Sequence, residues 1–313
     1  MSLLFSISNW DVETWAQHFR QKAPERALQL GPLPDDPKSV DYVLAWQPPR
    51  GVFADMANLK AIFSLGAGVD HLMADPDLPD VPIVRVVDPD LTGRMTEWVV
   101  FQVLLHHRRH LMLAAAQRRH EWAVFRQPVA GDVRVGIMGL GVLGSDAAQV
   151  LARIGFQVAG WSRSEKDIEG ITCYHGEDGL KRFLARTDIL VSLLPLTPGT
   201  RGLLNAELFS QLARDGILDG PVLVNAGRGE TQSEDDILAA LADGTLHAAS
   251  LDVFSTEPLP ADHPLWDHER VVITPHSAAD SDPARLTDYV LGQIRAFEAG
   301  EPLKNLVNRT AGY

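Results

Sequence analysis

The second half of the chain alternates between two hydrophobic patterns from residue 133 onward. Short apolar runs rich in β-branched residues occupy positions 133–138, 156–161, 189–194, 222–225, 248–253 and 271–274. Apolar residues at helical spacing occupy positions 142–154, 177–186 and 233–241. Near-continuous apolar strands separated by helices are typical of a parallel sheet that is covered on both faces. This half is therefore predicted to be a doubly wound α/β domain.

The first third repeats the same pattern more weakly. Strands are predicted at 3–7, 42–45, 61–64 and 83–86, with helices near 11–21 and 69–72. Proline-rich stretches at 31–37 and 75–82 are predicted to be surface loops. A long helical pattern runs from residue 92 to about 117, and another covers 282–300, beyond the last predicted strand. We therefore expect the first of these helices to bridge two domains and the chain to return to the first domain at its end.

Together these patterns predict an α/β protein with two doubly wound parallel-sheet domains. Residues 98–279 are expected to form a Rossmann-type domain. Residues 1–97 and 280–313 are expected to form a second, discontinuous domain, which is flavodoxin-like. A chain of 313 residues and 34.3 kDa has the length that two domains of ordinary size require.

Charge and cysteine content narrow the classes of function. The chain carries 28 Lys and Arg against 41 Asp and Glu, so its net charge of −13 repels nucleic acids and anionic membranes. The single Cys173 excludes an internal disulfide framework and a multi-cysteine metal site. The sequence has no run of about 18 apolar residues, and its first ten residues lack the basic region of a signal peptide. We therefore expect a soluble, cytoplasmic protein that binds neither nucleic acid nor membrane.

A short basic run lies in the long helical pattern, as His106-His-Arg-Arg-His110 and Arg118-Arg-His120. A nucleic-acid contact is one interpretation of this run. Its shortness and the acidity of the chain favour a solvated or subunit-facing helix surface instead. Its histidines lack neighbouring carboxylates or thiolates at ligand spacing, so no metal site is predicted.

A glycine-rich sequence follows the strand at 133–138 and opens the helix at 142–154. In that setting Gly139 permits a tight turn, Gly141 lets the backbone approach a pyrophosphate, and Gly144 lets helix and sheet pack closely. The start of the helix offers unpaired N–H groups and a partial positive charge to the anion. A tight turn that binds nothing is the alternative, but the position within a βαβ series favours a dinucleotide. The predicted contacts are Gly139, Leu140, Gly141, Val142, Leu143 and Gly144.

The residues after the second strand of this half distinguish NADP from NAD. An NAD site usually has Asp or Glu about 20 residues after the glycines, to bind the ribose hydroxyls. This chain has Ser162, Arg163 and Ser164 there. A guanidinium pairs with a 2′-phosphate, and the two hydroxyls can donate to it. The alternative is that Arg163 is solvated and that Glu165 binds the ribose. We predict NADP(H) as the preferred cofactor and leave NAD(H) open.

Three polar residues follow three apolar strands, at the sheet edge where doubly wound domains bind ligands. Arg228 follows 222–225, Glu257 comes shortly after 248–253, and His276 follows 271–274. Arg228 can hold a carboxylate in a bidentate fork and polarise the neighbouring carbonyl. His276 can donate a proton to that oxygen, and the Glu257 carboxylate would stabilise the imidazolium. The three residues suit hydride reduction of a 2-keto acid.

Each of these residues also has a structural interpretation when it is considered alone. An arginine in a glycine-rich loop is usually solvated, a Glu-Pro pair is a common turn, and a histidine after proline can cap a loop. Their occurrence together, each after its own strand, favours catalytic roles for Arg228, Glu257 and His276. Asp252 is interpreted as either a loop cap or a hydrogen-bond partner of a nicotinamide carboxamide.

A second glycine-rich segment, Leu65-Gly-Ala-Gly68, follows the predicted strand at 61–64. Small residues expose consecutive N–H groups, which can form an anion-binding nest for a substrate carboxylate, although a turn without a ligand is the alternative. Trp46 is interpreted as an apolar wall that limits substrate size or, equally, as a half-buried aromatic of a small domain. We expect the site to close around its substrate. The predicted substrate contacts are Trp46, Leu65, Gly66, Ala67, Gly68, Arg228 and His276.

The combination of these motifs resembles the D-isomer-specific 2-hydroxyacid dehydrogenase family. The resemblance rests on segments 139–144, 225–229 and 252–258 and on Pro275-His276. It covers most of the chain, strongly from 132 to 279 and more loosely before that. Further segments are most similar to the glyoxylate/hydroxypyruvate reductase A group, namely Gly136-Ile-Met-Gly139, Trp161-Ser-Arg-Ser164, Leu193-Leu-Pro195, Glu257-Pro-Leu-Pro260 and the tail 308–313.

This resemblance implies an enzyme that reduces glyoxylate or hydroxypyruvate with NADPH, with His276 as the proton donor. It implies the catalytic roles argued above for Arg228, Glu257 and His276, and it places Arg163 at the NADP phosphate. It implies that residues 98–279 form the NAD(P)-binding cofactor domain and that residues 1–97 with 280–313 form the substrate domain. It also implies a homodimer built largely through the cofactor domains. The cofactor contacts expected outside the glycine-rich turn are Ser162, Arg163, Ser164, Leu194, Pro195, Ala226, Gly227, Arg228 and Asp252.

Two other functions stay open at this point. One is a dehydrogenase of the same family for another short 2-hydroxy acid, such as those related to pyruvate or 2-ketobutyrate. The other is a non-catalytic, nucleotide-sensing binding protein that retains the fold. All three catalytic positions are filled and no disordered tail is evident, which favours an enzyme. The preferred keto acid does not follow from motifs, because pocket contacts discriminate by only about 1–3 kcal/mol per methylene.

Overall fold

The computed structural model describes residues 1–8 and 10–312. The chain divides into two compact units, Met1–Leu91 with Ser281–Tyr313 and Thr92–Asp280. The domain boundaries predicted from the sequence lie at 97/98 and 279/280, and the assignment of these ranges to a substrate and a cofactor domain stays a prediction. The tail motif at 308–313 includes Tyr313, which lies outside the described residues.

Both units contain strands and helices. The strands are β1 Ser2–Ile7, β2 Ala27–Leu30, β3 Val40–Trp46, β4 Ala61–Ser64, β5 Ile83–Val84, β6 Arg134–Met138, β7 Gln157–Ser162, β8 Thr172–His175, β9 Ile189–Ser192, β10 Val222–Asn225, β11 Ala248–Leu251 and β12 Val271–Ile273. The helices are α1 Val12–Lys22, α2 Asp70–Met73, α3 Pro89–His107, α4 His110–Arg118, α5 Val142–Ile154, α6 Gly176–Leu184, α7 Ala206–Ser210, α8 Glu234–Asp243 and α9 Pro283–Glu298.

The sheet of the first unit is parallel throughout, with strand order β2-β1-β3-β4-β5. This is the flavodoxin-like order, so the fold predicted for this unit is confirmed. The inner strand β1 is buried along its whole length, as expected of a strand covered on both faces. One face of the sheet packs against α1 and α9, so the end of the chain completes the core of the unit in which the chain begins.

The sheet of the second unit is also parallel, with strand order β12-β11-β10-β9-β6-β7-β8. Counted from β6, this is the Rossmann order 3-2-1-4-5-6 with one further strand, β12, which confirms the predicted fold. The order reverses between β6 and β9. Ligands of such sheets bind outside the carboxyl ends of the strands at this reversal.

The edge strands β2 and β8 do not follow from the hydrophobic pattern. β2 reads Ala-Leu-Gln-Leu and β8 reads Thr-Cys-Tyr-His, and neither contains a fully buried residue. An edge strand is paired on one side only and is less covered than an inner strand. It therefore lacks the continuous apolar run by which the inner strands are recognised.

The long helical pattern of residues 92–117 is two helices in the structure, so the prediction of one continuous helix is wrong. The helix is interrupted between α3 and α4 at Arg109, whose backbone adopts a left-handed conformation with φ of 53°. The Arg109 side chain binds Asp219 and the carbonyl of Arg126. These tertiary contacts stabilise the interruption of the helix. The sequence around Arg109 contains no glycine or proline from which the interruption could be predicted.

A buried polar network joins α3 to β11 in the second unit. Ser250 Oγ donates to Gln102 Oε1 at 2.9 Å and lies 2.7 Å from His106 Nε2. Because the Ser250 proton goes to Gln102, His106 Nε2 donates to Ser250 Oγ, as a neutral imidazole can. Burial, with a smaller contribution from His247, lowers the pKa of His106 to about 3.

We predict that His106 makes the protein less stable as the pH falls. Between about pH 6.5 and pH 3 the unfolded chain binds a proton at this imidazole that the folded chain does not bind. This difference lowers the free energy of unfolding by up to about 1.4 kcal/mol per pH unit in that window. The His106→Gln variant lacks this titrating imidazole. Its free energy of unfolding, measured with denaturant from about pH 7 to pH 5, should therefore fall less steeply than that of the wild type. A slope equal to that of the wild type would contradict the prediction.

Candidate active site

In the glycine-rich turn between β6 and α5, two of the three glycines are in close contact with neighbouring backbone. Gly139 has a φ of 101°, and a Cβ at this position would lie 2.8 Å from the carbonyl oxygen of Leu193. A Cβ at Gly144 would lie 2.0 Å from the carbonyl oxygen of Gly139. Both positions therefore exclude a side chain, the first by backbone conformation and contact and the second by contact alone.

Gly141 differs from the other two glycines because nothing lies against it. It is the N-cap residue of α5, no side chain caps this helix, and no atom lies within 4 Å of the position that a Cβ would take. A helix start with uncapped N–H groups and open space in front of it suits a pyrophosphate. Leu140, by contrast, is buried and packs against Gly160, where a Cβ would lie 2.3 Å from Leu140 Cδ2. Of the predicted contacts in this turn, Leu140 is thus in the core, whereas Val142 is 43% exposed.

The segment after β7 is a tight polar turn. Ser162 is buried, and its Oγ donates to the carbonyl oxygen of Ser164 at 2.7 Å. The Ser162 hydroxyl proton is therefore used within the turn. Arg163 and Ser164 are exposed, as is Glu165. The predicted 2′-phosphate site thus depends on Arg163 and Ser164, and it stays a prediction.

The loop that carries Arg228 is held by a buried amide network below it. Asn225 Oδ1 accepts from Gly227 N at 3.0 Å, and Asn225 Nδ2 donates to Gln232 Oε1 at 2.8 Å. Gln232 Nε2 then donates to the carbonyl oxygen of Val253 at 2.9 Å. Neither Asn225 nor Gln232 was assigned a role from the sequence. The sequence carries no signal for their role, because the burial of Gln232, which obliges its amide to find partners, is seen only in the structure.

Two glycines bring this loop against neighbouring strand ends. A Cβ at Gly227 would lie 2.5 Å from the carbonyl oxygen of Leu194, and a Cβ at Gly229 would lie 1.9 Å from the carbonyl carbon of Phe254. Arg228, between them, donates through Nη1 to the carbonyl oxygen of Gly227 at 2.8 Å. The loop therefore lies between the residues that follow β9 and those that follow β11, and Arg228 has little freedom in its backbone.

Glu257 and His276 form a direct pair in the structure. His276 Nδ1 lies 2.7 Å from Glu257 Oε2, and the N–H of Phe254 donates to Glu257 Oε1 at 2.9 Å. Burial by itself raises the pKa of Glu257, but hydrogen bonds from His276 and Phe254 and the charges of His276 and Arg228 outweigh it and lower this pKa. The carboxylate is thus ionised at neutral pH, and it orients the imidazole through Nδ1.

Asp252 organises the loop that carries His276. Its carboxylate accepts from Thr274 Oγ1 at 2.5 Å, from Ser277 N at 2.9 Å and from Ala278 N at 3.1 Å. Its carbonyl oxygen accepts from the N–H of His276, whose φ is 53°. Burial raises the pKa of Asp252, and these hydrogen bonds offset part of that rise. The contacts give Asp252 a loop-organising role, and its bond to a nicotinamide carboxamide stays a prediction.

The glycine-rich segment of the first unit is a loop held by hydroxyl groups. Ser64 Oγ lies 3.1 Å from the carbonyl oxygen of Gly66 and 3.2 Å from that of Gly68. Ser281 Oγ donates to the carbonyl oxygen of Leu65 at 2.8 Å. Within the described residues, no acceptor takes the N–H groups of Ala67 and Gly68. Leu65 itself is fully buried, so only its backbone can take the predicted part in substrate binding.

Within residues 1–8 and 10–312, no helix has the length and apolar character needed to cross a membrane. The same residues contain no group of three or more His, Cys, Asp or Glu side chains placed to bind a metal ion. The groups predicted to bind anions are backbone N–H groups and two arginines, Arg163 and Arg228.

Comparison with known proteins identifies relatives along the whole chain. The family model "D-isomer specific 2-hydroxyacid dehydrogenase, NAD binding domain" matches residues 100–278. The chain is 38% identical over 319 residues to glyoxylate/hydroxypyruvate reductase A of Serratia proteamaculans, with 100% of both chains covered. It is 40% identical over 320 residues to the protein of the same name in Escherichia fergusonii, again with 100% of both covered.

Solved structures agree with this result. An NADPH-dependent glyoxylate/hydroxypyruvate reductase from Sinorhizobium meliloti, in complex with NADP and sulfate, is 47% identical to the chain with a TM-score of 0.93. A D-isomer specific 2-hydroxyacid dehydrogenase from Xanthobacter autotrophicus, in complex with NADPH and MES, is 41% identical with a TM-score of 0.93. Each comparison covers 100% of this chain and 99% of the other.

Proposed function

The chain belongs to the D-isomer specific 2-hydroxyacid dehydrogenase family, and we propose that it reduces glyoxylate and hydroxypyruvate to 2-hydroxy acids with NADPH. The names of its full-length relatives support the substrate class, and the NADP and NADPH in related structures support the cofactor. The single observation in this chain that carries the proposal is the pair of His276 Nδ1 and Glu257 Oε2 at 2.7 Å.

This pair assigns the proton donor within the imidazole. Because Nδ1 of His276 is directed to Glu257, Nε2 is the nitrogen that gives its proton to the substrate carbonyl oxygen. The ionised Glu257 stabilises the imidazolium before that transfer. Arg228 holds the substrate carboxylate and polarises the carbonyl, on a loop that Asn225 and Gln232 keep in place.

The groups that we propose to hold the cofactor follow strands of the second sheet. The backbone around Gly141 at the start of α5 receives the pyrophosphate, and Arg163 pairs with the 2′-phosphate. When bound, the nicotinamide supplies the hydride for the carbonyl carbon. In the first unit, the N–H groups of Ala67 and Gly68 receive the substrate carboxylate, and Trp46 forms an apolar wall beside them.

The function is tested by the initial rate of NADPH loss, followed by absorbance, with saturating glyoxylate and with hydroxypyruvate. We expect turnover with both substrates and a fall in kcat of at least about a hundredfold in His276→Ala, because the general acid is lost. The dissociation constant for NADPH should stay unchanged, which separates catalysis from binding. NADPH binding without turnover of either acid would favour another substrate or the nucleotide-sensing function.

Arg163→Ala should weaken NADPH binding selectively. Loss of a charge-assisted hydrogen bond to the 2′-phosphate should raise the KM for NADPH by roughly tenfold or more. The KM for NADH, which lacks that phosphate, should change little. Arg153→Ala, which removes an exposed arginine of α5, is the matched control and should leave both values unchanged. Equal effects of Arg163→Ala on the two cofactors would overturn the assignment.

A homodimer through the second unit is also part of the proposal. The segment after α4 exposes large apolar side chains, with Trp122 97%, Val124 85% and Val129 65% exposed. A cavity of about 360 Å³ next to it is lined in part by Met112 and Phe125. An exposed apolar segment beside an apolar cavity suits a two-fold interface in which each copy covers the other.

We predict that Trp122→Asp with Val124→Asp shifts the protein to a monomer in sedimentation velocity measurements, because two charges would be buried without partners. Leu33→Asp, at a 62% exposed position of the first unit, is the control and should leave the dimer intact. A monomeric wild type at micromolar concentration would show that the dimer assignment is wrong.

A further inference from the structure

Three tryptophans of the first unit form a continuous stack. The rings of Trp10 and Trp15 lie 5.6 Å apart at an interplanar angle of 8°, and those of Trp10 and Trp46 lie 4.5 Å apart at 15°. Trp15 is 4% exposed and anchors the stack in the core, whereas Trp10 and Trp46 are half-buried. His71 meets the Trp46 indole edge-on at 5.3 Å. Such parallel aromatic contacts add stability beyond the area they bury, so Trp10 joins a core residue to Trp46.

The start of α1 sets the position of Trp10. Asp11 is the N-cap residue, and its carboxylate accepts from Glu13 N at 3.1 Å and from Thr14 Oγ1 at 2.6 Å. Trp10 precedes the cap and Trp15 is the fourth residue of the helix, so their contact is a hydrophobic staple. A staple fixes the direction in which the chain enters its helix. Trp10 is therefore positioned by the local physics of α1.

At its other end, the stack contacts the loop 65–68, which is the proposed binding site of the substrate carboxylate. Trp46 ends β3, and a Cβ at Gly66 would lie 2.3 Å from Trp46 Cζ3. The indole thus lies directly on the backbone of Gly66, next to Ala67 and Gly68. The hydroxyl of Ser64 holds the carbonyl groups of Gly66 and Gly68, so the loop is enclosed between this hydroxyl and an indole.

We propose that Trp10 is a positioning residue for substrate binding, which holds Trp46 against Gly66 and thereby fixes the loop that receives the substrate carboxylate. The inference rests on the proposed function of that loop, and it adds a residue that does not itself touch the substrate. Two features of the stack favour this role over a purely structural one. Trp10 is half-buried, so it contributes less to the core than Trp15, and its tighter ring contact is with Trp46.

The first test compares Trp10→Ala, Trp10→Phe and Phe19→Leu. In Trp10→Ala the loop is released, so the KM for both keto acids should rise roughly tenfold, as the loss of an aromatic pair implies. The value of kcat should stay within about twofold, because substrate and transition state lose the same contact. Trp10→Phe retains a stacking ring and should restore most of the affinity. Phe19→Leu alters the core contact of α1 with Phe5 and should lower the melting temperature without a change in KM.

The second test is a double-mutant cycle between Trp10 and Gly66. Gly66→Ala places a methyl group against Trp46, which can retreat only when Trp10 no longer backs it. The rise in KM caused by Gly66→Ala should therefore be smaller in the Trp10→Ala background than in the wild type. Additive effects, or an unchanged KM in Trp10→Ala, would overturn the proposal. So would a KM rise in Phe19→Leu as large as that in Trp10→Ala.

A binding measurement separates this inference from the proposed reaction. Oxalate is a two-carbon dicarboxylate that cannot be reduced, and its dissociation constant for the NADP⁺ complex can be titrated without turnover. A wild type that binds oxalate but reduces neither keto acid would refute the proposed reaction, and a roughly tenfold weaker oxalate affinity in Trp10→Ala would still support the role of the stack. Equal oxalate affinities of Trp10→Ala and the wild type would refute that role even if both keto acids are reduced.

Discussion

The geometry of the candidate site depends on one buried carboxylate. Asp252 is 1% exposed, and an isolated charge at that depth would be strongly unfavourable. It is tolerated because Thr274, Ser277 and Ala278 all donate to it, and these donors come from the loop that carries His276. The need to satisfy the carboxylate therefore folds the loop, and the loop directs the imidazole at Glu257. Removal of this charge would therefore alter the position of His276 relative to Glu257.

The loop that carries Arg228 is held in place by uncharged groups instead. Arg228 sits on a loop whose backbone is fixed by Asn225 and Gln232 and by the close packing at Gly227 and Gly229. A fully satisfied amide network is rigid, because any displacement would leave a buried donor or acceptor without a partner. Rigid placement suits the role proposed for Arg228 in polarising a carbonyl, since donors that are already in position need no reorganisation during a reaction.

The sequence predicts those parts of the site that have local signals. Gly139, Gly141 and Gly144 stand in a strand–turn–helix context, and Arg228 and His276 each follow an apolar strand, so parallel topology alone brings them to one edge. The break at Arg109 and the edge strands β2 and β8 follow from tertiary contacts and from partial exposure, neither of which has a local pattern. The hydrophobic staple of Trp10 and Trp15 has a local signal in the sequence, because Asp11 marks the start of α1. The contact of Trp10 with Trp46 has none, because it joins residues far apart in the chain. The 2′-phosphate role of Arg163 stays a prediction.

A net charge of −13 and an anionic cofactor are compatible because they act over different distances. Exposed charges are screened beyond about 8 Å at physiological ionic strength, so the acidic surface repels large polyanions that would contact it over many sites. In the proposed site, the uncapped start of α5 and the Arg228 guanidinium would act on an anion at hydrogen-bond distance, where screening is weak. The N–H groups of Ala67 and Gly68 would work in the same way, and their effect would depend on direction more than on charge. A loop whose only means of attraction is the orientation of two N–H groups loses affinity as soon as it can rotate. This is the physical reason for the proposed effect of the indole stack at Gly66 on substrate affinity, which requires no contact between Trp10 and the substrate.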